Sequence, residues 1–166
     1  MILEIDEHAL ATTFFSLMGE VEYGDRFDLD NPSHRGWLTE RISRYYLRGI
    51  RFFALFQNED TPVGFTSVDM DPKLDGVPYI GQYSEIMAIG VLPQYRRGGY
   101  GSQLLEYSEQ FAREHGAYCL YVATYAGAHH TIAFYGKNGY VPMATLPGVY
   151  GPAAEGRLYM RKLLRK

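Results

Sequence analysis

Cysteine is nearly absent from this sequence, basic residues are not in excess, and no long apolar run occurs. The single cysteine, Cys119, excludes an internal disulfide and is typical of a reducing compartment. The formal net charge of -3 lacks the basic excess of a general nucleic-acid surface. No apolar stretch approaches the roughly 20 residues of a membrane helix, and the N-terminal MILEIDEHAL lacks the basic start of a signal peptide. We therefore expect a soluble, cytoplasmic protein that binds neither nucleic acid nor membrane.

Size and composition indicate one globular domain. The chain has 166 residues, which suffices for one domain with a real core and leaves little room for a second. Hydrophobic residues make up 46% of the sequence and aromatic residues 15%, so the chain is not of the disordered class. We expect a single domain over residues 1–166.

Hydrophobic periodicity and turn residues predict an α+β order of elements. Strands are predicted at 2–5, 51–57, 63–70, 85–91, 117–125, 140–146 and 156–164, helices at 8–18, 37–47, 101–115 and 130–138, and loops at 19–36 and 71–83. The strand 85–91, the helix that follows it and the strand 117–125 predict one parallel, right-handed crossover at the centre of the chain.

A turn rich in glycine and arginine joins the fourth strand to the third helix. Residues 91–105 read VLPQYRRGGYGSQLL, with two arginines and three glycines from Arg96 to Gly101. Glycines allow a ligand to approach the backbone, and the first turn of a helix presents unpaired N–H groups at the positive end of its dipole. The pattern therefore favours an anion site, most often for phosphate. An ordinary turn with two solvated arginines is the alternative, and the P-loop and dinucleotide-binding patterns are both absent.

The same turn resembles motif A of the GNAT superfamily, the acyl-CoA-dependent N-acyltransferases. The pattern of that motif is Gln/Arg-x-x-Gly-x-Gly/Ala after a strand. Arg96, Gly99 and Gly101 occupy its three specified positions. Val91 and Pro93 match the Val-x-Pro that commonly precedes it.

Two later segments extend this resemblance along the chain. The sequence FYGKNGYVP at 134–142 is similar to the FYEKLGF segment of the family, at a distance from motif A that the family also shows. LYMRKLL at 158–164 resembles the family's closing strand. The resemblance covers about Arg51 to Leu163, whereas residues 1–50 align only by their predicted helices.

The resemblance implies a three-layer α/β/α fold of the α+β class, with a mixed, mostly antiparallel sheet of about six or seven strands and about four helices. Strands 85–91 and 118–124 would splay apart and hold acyl-CoA in the opening. The implied activity is acetyl transfer from acetyl-CoA to a primary amine of a small molecule, by direct attack in a ternary complex. An acetyltransferase for protein N-termini or lysines and a non-catalytic acyl-CoA-binding module are the alternatives.

By the same resemblance, the glycine turn binds the pyrophosphate of acetyl-CoA, chiefly through backbone amides. The residues of this site are Arg96, Arg97, Gly98, Gly99, Tyr100, Gly101 and Ser102. The pantetheine arm would pair like an extra strand with the main chain of Ile89 and Val91. A bulge at Gly90 would free these groups, and one amide would polarise the thioester carbonyl. Plain core packing is the alternative for Ile89 and Val91, and both roles are compatible.

Acyl transfer to an amine requires one group that takes the proton of the amine and one that protonates the departing thiolate. The resemblance implies Tyr135, of the family's Phe-Tyr pair, as the acid, and a core aromatic is the alternative. Glu85 opens a buried strand and is the leading candidate for the base, with a solvated carboxylate as the alternative. His129 and His130 compete for that role. No metal is expected, and Cys119 is interpreted as a small buried hydrophobe.

One position of the cofactor site departs from the family pattern. Many relatives place an asparagine six residues before the Phe-Tyr pair, where this chain has Ala128.

The acceptor site is expected in the first helices and loops. The first loop contains Glu20, Glu22, Asp25, Asp28 and Asp30 against Arg26, which favours a cationic amine unless the loop is merely solvated. Neighbouring tyrosines that could line an acceptor cavity are Tyr23, Tyr45, Tyr46 and Tyr150. A homodimer, the acyl length and the acceptor are left open.

Overall fold

The computed structural model describes residues 1–23, 28–72 and 82–164 of the chain. Its strands are β1 (Ile2–Ile5), β2 (Arg51–Phe56), β3 (Pro62–Asp69), β4 (Tyr83–Val91), β5 (Cys119–Tyr125), β6 (Val141–Leu146) and β7 (Arg157–Leu163). Its α-helices are α1 (Glu7–Ala11), α2 (Phe15–Tyr23), α3 (Pro32–Leu47), α4 (Tyr100–Glu114) and α5 (His129–Lys137), and a 3-10 helix spans Pro93–Tyr95. Every strand predicted from the sequence is present, with ends shifted by at most two residues.

The helix predicted over residues 8–18 is divided in two, so that prediction was wrong. α1 ends at Ala11, and α2 begins at Phe15. The hydroxyl of Thr12 donates a hydrogen bond to the carbonyl of His8 at 2.7 Å. Local bonds of this kind compete with the helical backbone pattern and bend or end helices. The described part of the chain therefore has five α-helices instead of the expected four or so.

The second predicted helix begins at Pro32, earlier than the expected Trp37. The side chain of Asn31 caps it by accepting a hydrogen bond from the N–H of Ser33 at 2.9 Å. Proline at the first helical position already has the φ of a helix and needs no N–H partner there. The Asn-Pro pair is a helix-start signal that hydrophobic periodicity alone does not reveal.

Seven strands form a mixed, open sheet in the order β1-β2-β3-β4-β5-β7-β6. β2 pairs antiparallel with β1 and β3, and β7 pairs antiparallel with β5 and β6. β4 and β5 pair in parallel. The predicted α+β class, the mostly antiparallel sheet and the central parallel crossover are therefore confirmed.

The chain divides into two compact units. The first contains Met1–Asp69 and Ala88–Ser108, and the second contains Met70–Met87 and Glu109–Lys166. β4 and α4 each contribute residues to both units. The single domain over residues 1–166 stays a prediction.

Aromatic side chains fill the core of the first unit. Phe52 of β2 is fully buried and stacks on Tyr46 of α3, with ring centroids 5.2 Å apart. The same ring packs against Phe65 of β3 at 6.3 Å. At the end of β3 the buried carboxylate of Asp69 accepts a hydrogen bond from Arg48 at 2.6 Å, so its charge is compensated. These contacts hold α3 against the first strands.

Two glycines let the backbones of β3 and β4 approach closely within the first unit. A Cβ atom on Gly64 would lie 2.5 Å from the carbonyl oxygen of Gly90. A Cβ atom on Gly90 would collide with Cγ1 of Val21 in α2. Just beyond, the N–H of Leu92 donates to the carbonyl of Val63 at 2.9 Å. The end of β4 is therefore held tightly between β3 and α2.

Antiparallel strands organise the second unit. β5 and β7 pair over their whole lengths, from Cys119 opposite Leu163 to Tyr125 opposite Arg157. Leu120 and other side chains of these strands are fully buried. β6 pairs with the other side of β7, and all six of its residues are exposed.

No helix within the described residues has both the length and the apolar character that a membrane span requires. The cytoplasmic location and the absence of a nucleic-acid partner stay predictions.

We expect Gly64→Ala to lower the free energy of unfolding by about 1 to 3 kcal/mol, because the new Cβ would press on the backbone of Gly90. Gly36→Ala is the matched control, since Gly36 is exposed in α3 and a Cβ there would meet nothing within 4 Å. The control should gain about 0.5 to 1 kcal/mol, because alanine favours a helix. Urea titrations measure both variants. A Gly64→Ala protein as stable as the control would show that the contact between β3 and β4 relaxes freely.

Candidate active site

The turn between β4 and α4 has the unusual backbone that its glycines predict. After the 3-10 helix, Arg97 adopts a φ of 66° and Gly99 a φ of 81°. Within the described ranges Arg97 is the one residue other than glycine with a positive φ. Such a conformation is costly for a residue that has a Cβ, and it is often found at ligand-binding positions.

The backbone N–H groups that follow Arg96 form no hydrogen bonds within the described protein. Across the three described ranges, no backbone hydrogen bond uses the N–H groups of residues 97–102. The next N–H group, that of Gln103, donates to the carbonyl of Gly99 at 3.1 Å. Tyr100, Gly101 and Ser102 form the first turn of α4, whose N–H groups cannot bond within the helix. Consecutive free donors at the positive end of a helix dipole are suited to an anion.

The two arginines of the turn are placed differently. Nε of Arg96 donates to the carbonyl of Val91 at 3.0 Å, so this side chain ties the turn to the last residue of β4. Both residues are exposed to solvent, and the Arg97 side chain forms no hydrogen bond or ion pair within the described residues. From the sequence, both side chains were predicted to contribute positive charge to a phosphate site. In the structure, one donor of Arg96 is already used in a hydrogen bond within the protein.

Side chains on either side of the turn anchor it to the first unit. Tyr95 and Tyr100 meet edge to face, with ring centroids 6.4 Å apart. Together with Ile89 they pack against a buried cluster formed by Leu55, Val63, Val91 and Leu104. The packing role of Ile89 and Val91 is therefore confirmed, and the binding role of their main chain stays a prediction.

Gly90 has a packing reason in this structure. Its missing Cβ makes room for Val21 of α2. From the sequence, Gly90 was predicted to mark a β-bulge. That bulge, and the proposal that a neighbouring amide polarises a thioester, stay predictions.

Parallel pairing between β4 and β5 covers the first part of β4. In the described residues the register runs from Tyr83 opposite Cys119 to Ile86 opposite Val122. The rest of β4, from Met87 onward, lies outside this ladder. A short ladder is what the predicted opening for acyl-CoA requires, and the opening itself stays a prediction.

Tyr135 lies in α5, in the second unit, and only 5% of its surface is exposed. Its ring packs against Phe134 and Tyr140, with centroids 5.3 Å and 5.6 Å away. Burial raises the pKa of the Tyr135 hydroxyl above its ordinary value of 10.0. The hydroxyl is therefore protonated at neutral pH, and it can donate a hydrogen bond but cannot serve as a base.

Polar groups around Tyr140 are a feature that the sequence motifs do not reveal. Lys162 of β7 donates to Glu109 of α4 at 2.6 Å, and its ammonium lies 5.9 Å from the ring centre of Tyr140. The buried Tyr140 hydroxyl forms no hydrogen bond of normal geometry within the described residues. Burial raises its pKa, and the nearby Glu109 carboxylate raises it further. The family segment FYEKLGF has phenylalanine where this chain has Tyr140, and this difference was the one sequence signal of an additional hydroxyl here.

Glu85 is the third residue of β4 and is partly buried. The parallel register places it opposite Tyr121 of β5. The rings of Tyr121 and Tyr83 meet at 5.7 Å between centroids. Because side chains two residues apart on a strand share a face, Glu85 and these two rings lie on the same face of the sheet.

The other residues considered for catalysis or cofactor binding lack the features those roles require. His129 and His130 are exposed at the start of α5. Ala128 is the N-cap of that helix and makes no side-chain capping bond, so the contacts of the family asparagine have no counterpart in its methyl group. Cys119 is fully buried, and burial raises the pKa of its thiol, in agreement with a small hydrophobe. In the described ranges no group of three or more histidine, cysteine, aspartate or glutamate side chains is arranged to hold a metal ion.

The residues predicted to form the acceptor site have different environments in the structure. Side chains outside the described part of the structure are those of Glu22, Tyr23, Asp25 and Arg26. Glu20 is exposed, and Asp28 accepts a hydrogen bond from the N–H of Asp30 at 2.9 Å. Tyr45 is a core residue, and the hydroxyl of Tyr46 donates to the carbonyl of Ile5 at 2.7 Å. Tyr150 is half exposed.

Comparison with known families explains this combination of a glycine turn, a short parallel ladder and a buried tyrosine. The profile of the Acetyltransferase (GNAT) family matches residues 17–140, which is well over half of the chain. The chain belongs to the GNAT acetyltransferase family.

Relatives and solved structures agree with this membership. The amino-acid acetyltransferase of Pseudomonas putida strain GB-1 is 30% identical over 140 residues, which are 83% of this chain and 29% of that protein. This GNAT chain thus spans less than a third of that relative's length. The ribosomal-protein-alanine N-acetyltransferase of Brucella melitensis has a TM-score of 0.70 at 22% identity over 99% of both chains. The yncA protein of Salmonella typhimurium, solved with its cofactor acetyl-CoA, has a TM-score of 0.69 at 18% identity over 100% of this chain and 94% of its own.

The turn of this GNAT chain fits a pyrophosphate by its own geometry. Gly99 has a positive φ, and a Cβ placed there would meet nothing within 4 Å, so the space beside its amide is open. The neighbouring residues from 97 to 102 add free N–H donors. An anion with several oxygen atoms can accept from such a run of donors.

Proposed function

We propose that this GNAT acetyltransferase acetylates the primary amine of a small molecule, with free amino acids as the acceptor class. The run of free amides from residue 97 to residue 102 is the observation that supports binding of the donor. The acceptor class is supported by 30% identity to a protein named amino-acid acetyltransferase. Direct attack of the amine, with both substrates bound, is part of the proposal.

On the donor side, the amides of Arg97, Gly98 and Gly99 and those of the first turn of α4 would bind the pyrophosphate. Arg96 would act mainly by fixing the turn, because its Nε bonds to Val91. The exposed Arg97 is free to approach a phosphate from the solvent side. The main chain of Ile89 and Val91 would pair with the pantetheine arm.

Bound acetyl-CoA supplies the thioester from which the acetyl group is transferred. A C–N bond forms and a C–S bond breaks, so the amine loses one proton and the sulfur gains one. The amine of a free amino acid is mostly ammonium at neutral pH and must first be deprotonated. We assign that task to Glu85, which is partly buried in β4, in preference to the exposed His129 and His130.

Tyr135 would assist departure of the thiolate. Its raised pKa keeps the hydroxyl protonated, which suits a donor. That pKa lies above the value of about 8.5 for a free thiol, so complete transfer of the phenolic proton to sulfur would be uphill. Tyr135 would therefore stabilise the developing thiolate by a hydrogen bond while the C–S bond breaks, and the proton released by the amine would finally neutralise the sulfur.

A screen of primary amines with acetyl-CoA tests the function. The panel contains free amino acids, polyamines, aminoglycosides, and peptides with a free N-terminus or lysine, and release of the free thiol reports turnover. We expect acetylation of free amino acids with a kcat/KM at least about ten times that for the other classes, a difference of about 1.4 kcal/mol. Preference for the peptides would favour the protein-acetylating alternative instead.

Gly99→Val should weaken CoA binding at least about tenfold, which is about 1.4 kcal/mol. A β-branched side chain would occupy the space beside the amides. Gly49→Val is the matched control, because Gly49 has a φ of 76° against 81° for Gly99 and likewise meets nothing within 4 Å. The two variants share the backbone strain, so calorimetric titration with CoA isolates the effect of position. Equal affinities in the two folded variants would contradict the pyrophosphate assignment.

Tyr135→Phe should lower kcat by roughly 10- to 1000-fold and leave acetyl-CoA affinity almost unchanged, because the hydroxyl is needed only while the C–S bond breaks. Tyr140→Phe is the matched control, since it removes another buried hydroxyl next to the same ring. The control should retain kcat. Single-turnover thiol release measures the chemical step directly. Equal rates for the two variants would remove Tyr135 from the mechanism.

A further inference from the structure

Three polar side chains lie in one row across neighbouring strands of the second unit. Glu85 of β4 is opposite Tyr121 of β5, and Tyr121 is opposite Arg161 of β7. Residues directly opposite one another in a sheet project from the same face. A carboxyl group, a phenol and a guanidinium therefore follow one another on a single face.

Arg161 is the charged member of the row that lacks a bonding partner. Its Nε is buried and has no hydrogen bond within the described residues, and the ion pairs found there do not include it. A buried donor without an acceptor is costly, and a carboxylate could satisfy two donors of the guanidinium at once. The charge acts on its surroundings, since Arg161 partly offsets the rise that burial causes in the pKa of Cys119.

Aromatic side chains flank the row on both sides. Tyr83 and Tyr121 pack ring to ring beside it. On the other side the next residues on this face are Ala123 of β5 and, opposite it, Tyr159 of β7, and both are partly exposed. A small ligand lying along the row would therefore contact the ring of Tyr83 on one side and the side chains of Ala123 and Tyr159 on the other.

We propose that Arg161 binds the carboxylate of the amino-acid acceptor while Glu85 faces its amine. This inference rests on the proposed acetyl transfer and adds the chemical group by which the acceptor is recognised. An acceptor with a cationic and an anionic end matches a row that ends in a carboxyl group and a guanidinium. A ligand with only anionic groups would meet repulsion at Glu85, and an amine without a carboxylate would leave Arg161 unpaired.

The first experiment compares each proteinogenic amino acid that has a primary amine with its carboxamide as acceptor for the wild-type protein. The carboxamide keeps the amine and the side chain and lacks only the negative charge. Rates are referred to the neutral amine, since the carboxamide has the more weakly basic amine. For the preferred amino acid we expect kcat/KM about 10 to 100 times that of its carboxamide, the range of a charge-assisted hydrogen bond. Equal use of the two would overturn the proposal without any variant.

The second experiment uses Arg161→Gln, with Arg113→Gln as the matched control because Arg113 is exposed at the end of α4. In Arg161→Gln the KM for the amino acid should rise by about 10- to 100-fold, while kcat and the use of the carboxamide stay within about threefold. Arg161→Lys should recover part of the loss, because an ammonium keeps the charge without the fork of donors. Arg113→Gln should match the wild type. A loss shared equally by both acceptors, or no loss, would overturn the proposal.

Calorimetric titration of the CoA-saturated protein with the same pairs separates this site from the proposed function. Binding of amino acids that depends on Arg161, without thiol release from any amine, would overturn the function and support the carboxylate site. Acetylation of amines regardless of the carboxylate would support the function and overturn the site. If Arg161→Gln does not fold, Arg161→Lys and the wild-type comparison give the decision.

Discussion

The absence of side chains at Gly64 and Gly90 lets β3 and β4 come so close that a Cβ on the first would lie 2.5 Å from the backbone oxygen of the second. The turn proposed to bind the acetyl donor depends on this contact. It places the end of β4 beside β3, and the bond from Leu92 to Val63 then fixes the direction in which the chain leaves the strand. A positive φ at a residue with a side chain, as at Arg97, persists only where the surrounding structure determines it. The packed end of β4 is that surrounding structure.

Backbone donors, more than side-chain charges, characterise the turn that follows. Arg96 uses its Nε to hold Val91, and the amides after it are left without partners. With this division, the proposed binding of a phosphorylated cofactor would require no basic patch on a chain whose net charge is -3. The N–H groups of a helix start are fixed in direction, so they lose little freedom when an anion binds.

Burial governs the chemistry of the second unit. It raises the pKa of Tyr135 and so keeps the hydroxyl as a donor. The same effect leaves the Tyr140 hydroxyl protonated and without a well-formed partner, a cost that phenylalanine would avoid. Arg161, on a strand of the same unit, also has a buried donor without a partner. Groups left unsatisfied in this way are candidates for ligand recognition, because a ligand can supply what the fold does not.

Local sequence by itself determined the strands, the glycine turn and the family, because alternation, helix stops and a fixed motif spacing act within short stretches of chain. It also placed Tyr135 on a helix after β5. The first predicted helix is divided at Thr12, where the hydroxyl donates a hydrogen bond to the backbone. Hydrophobic periodicity does not reveal such a bond. Tertiary structure alone decided that Gly90 faces Val21 and that Arg96 bonds back to β4. It also decided that Arg161 lies in one row with Glu85, which is far away in the chain. Each of these depends on which strands become neighbours and in what register, and pairing between distant segments leaves no periodic trace in the sequence.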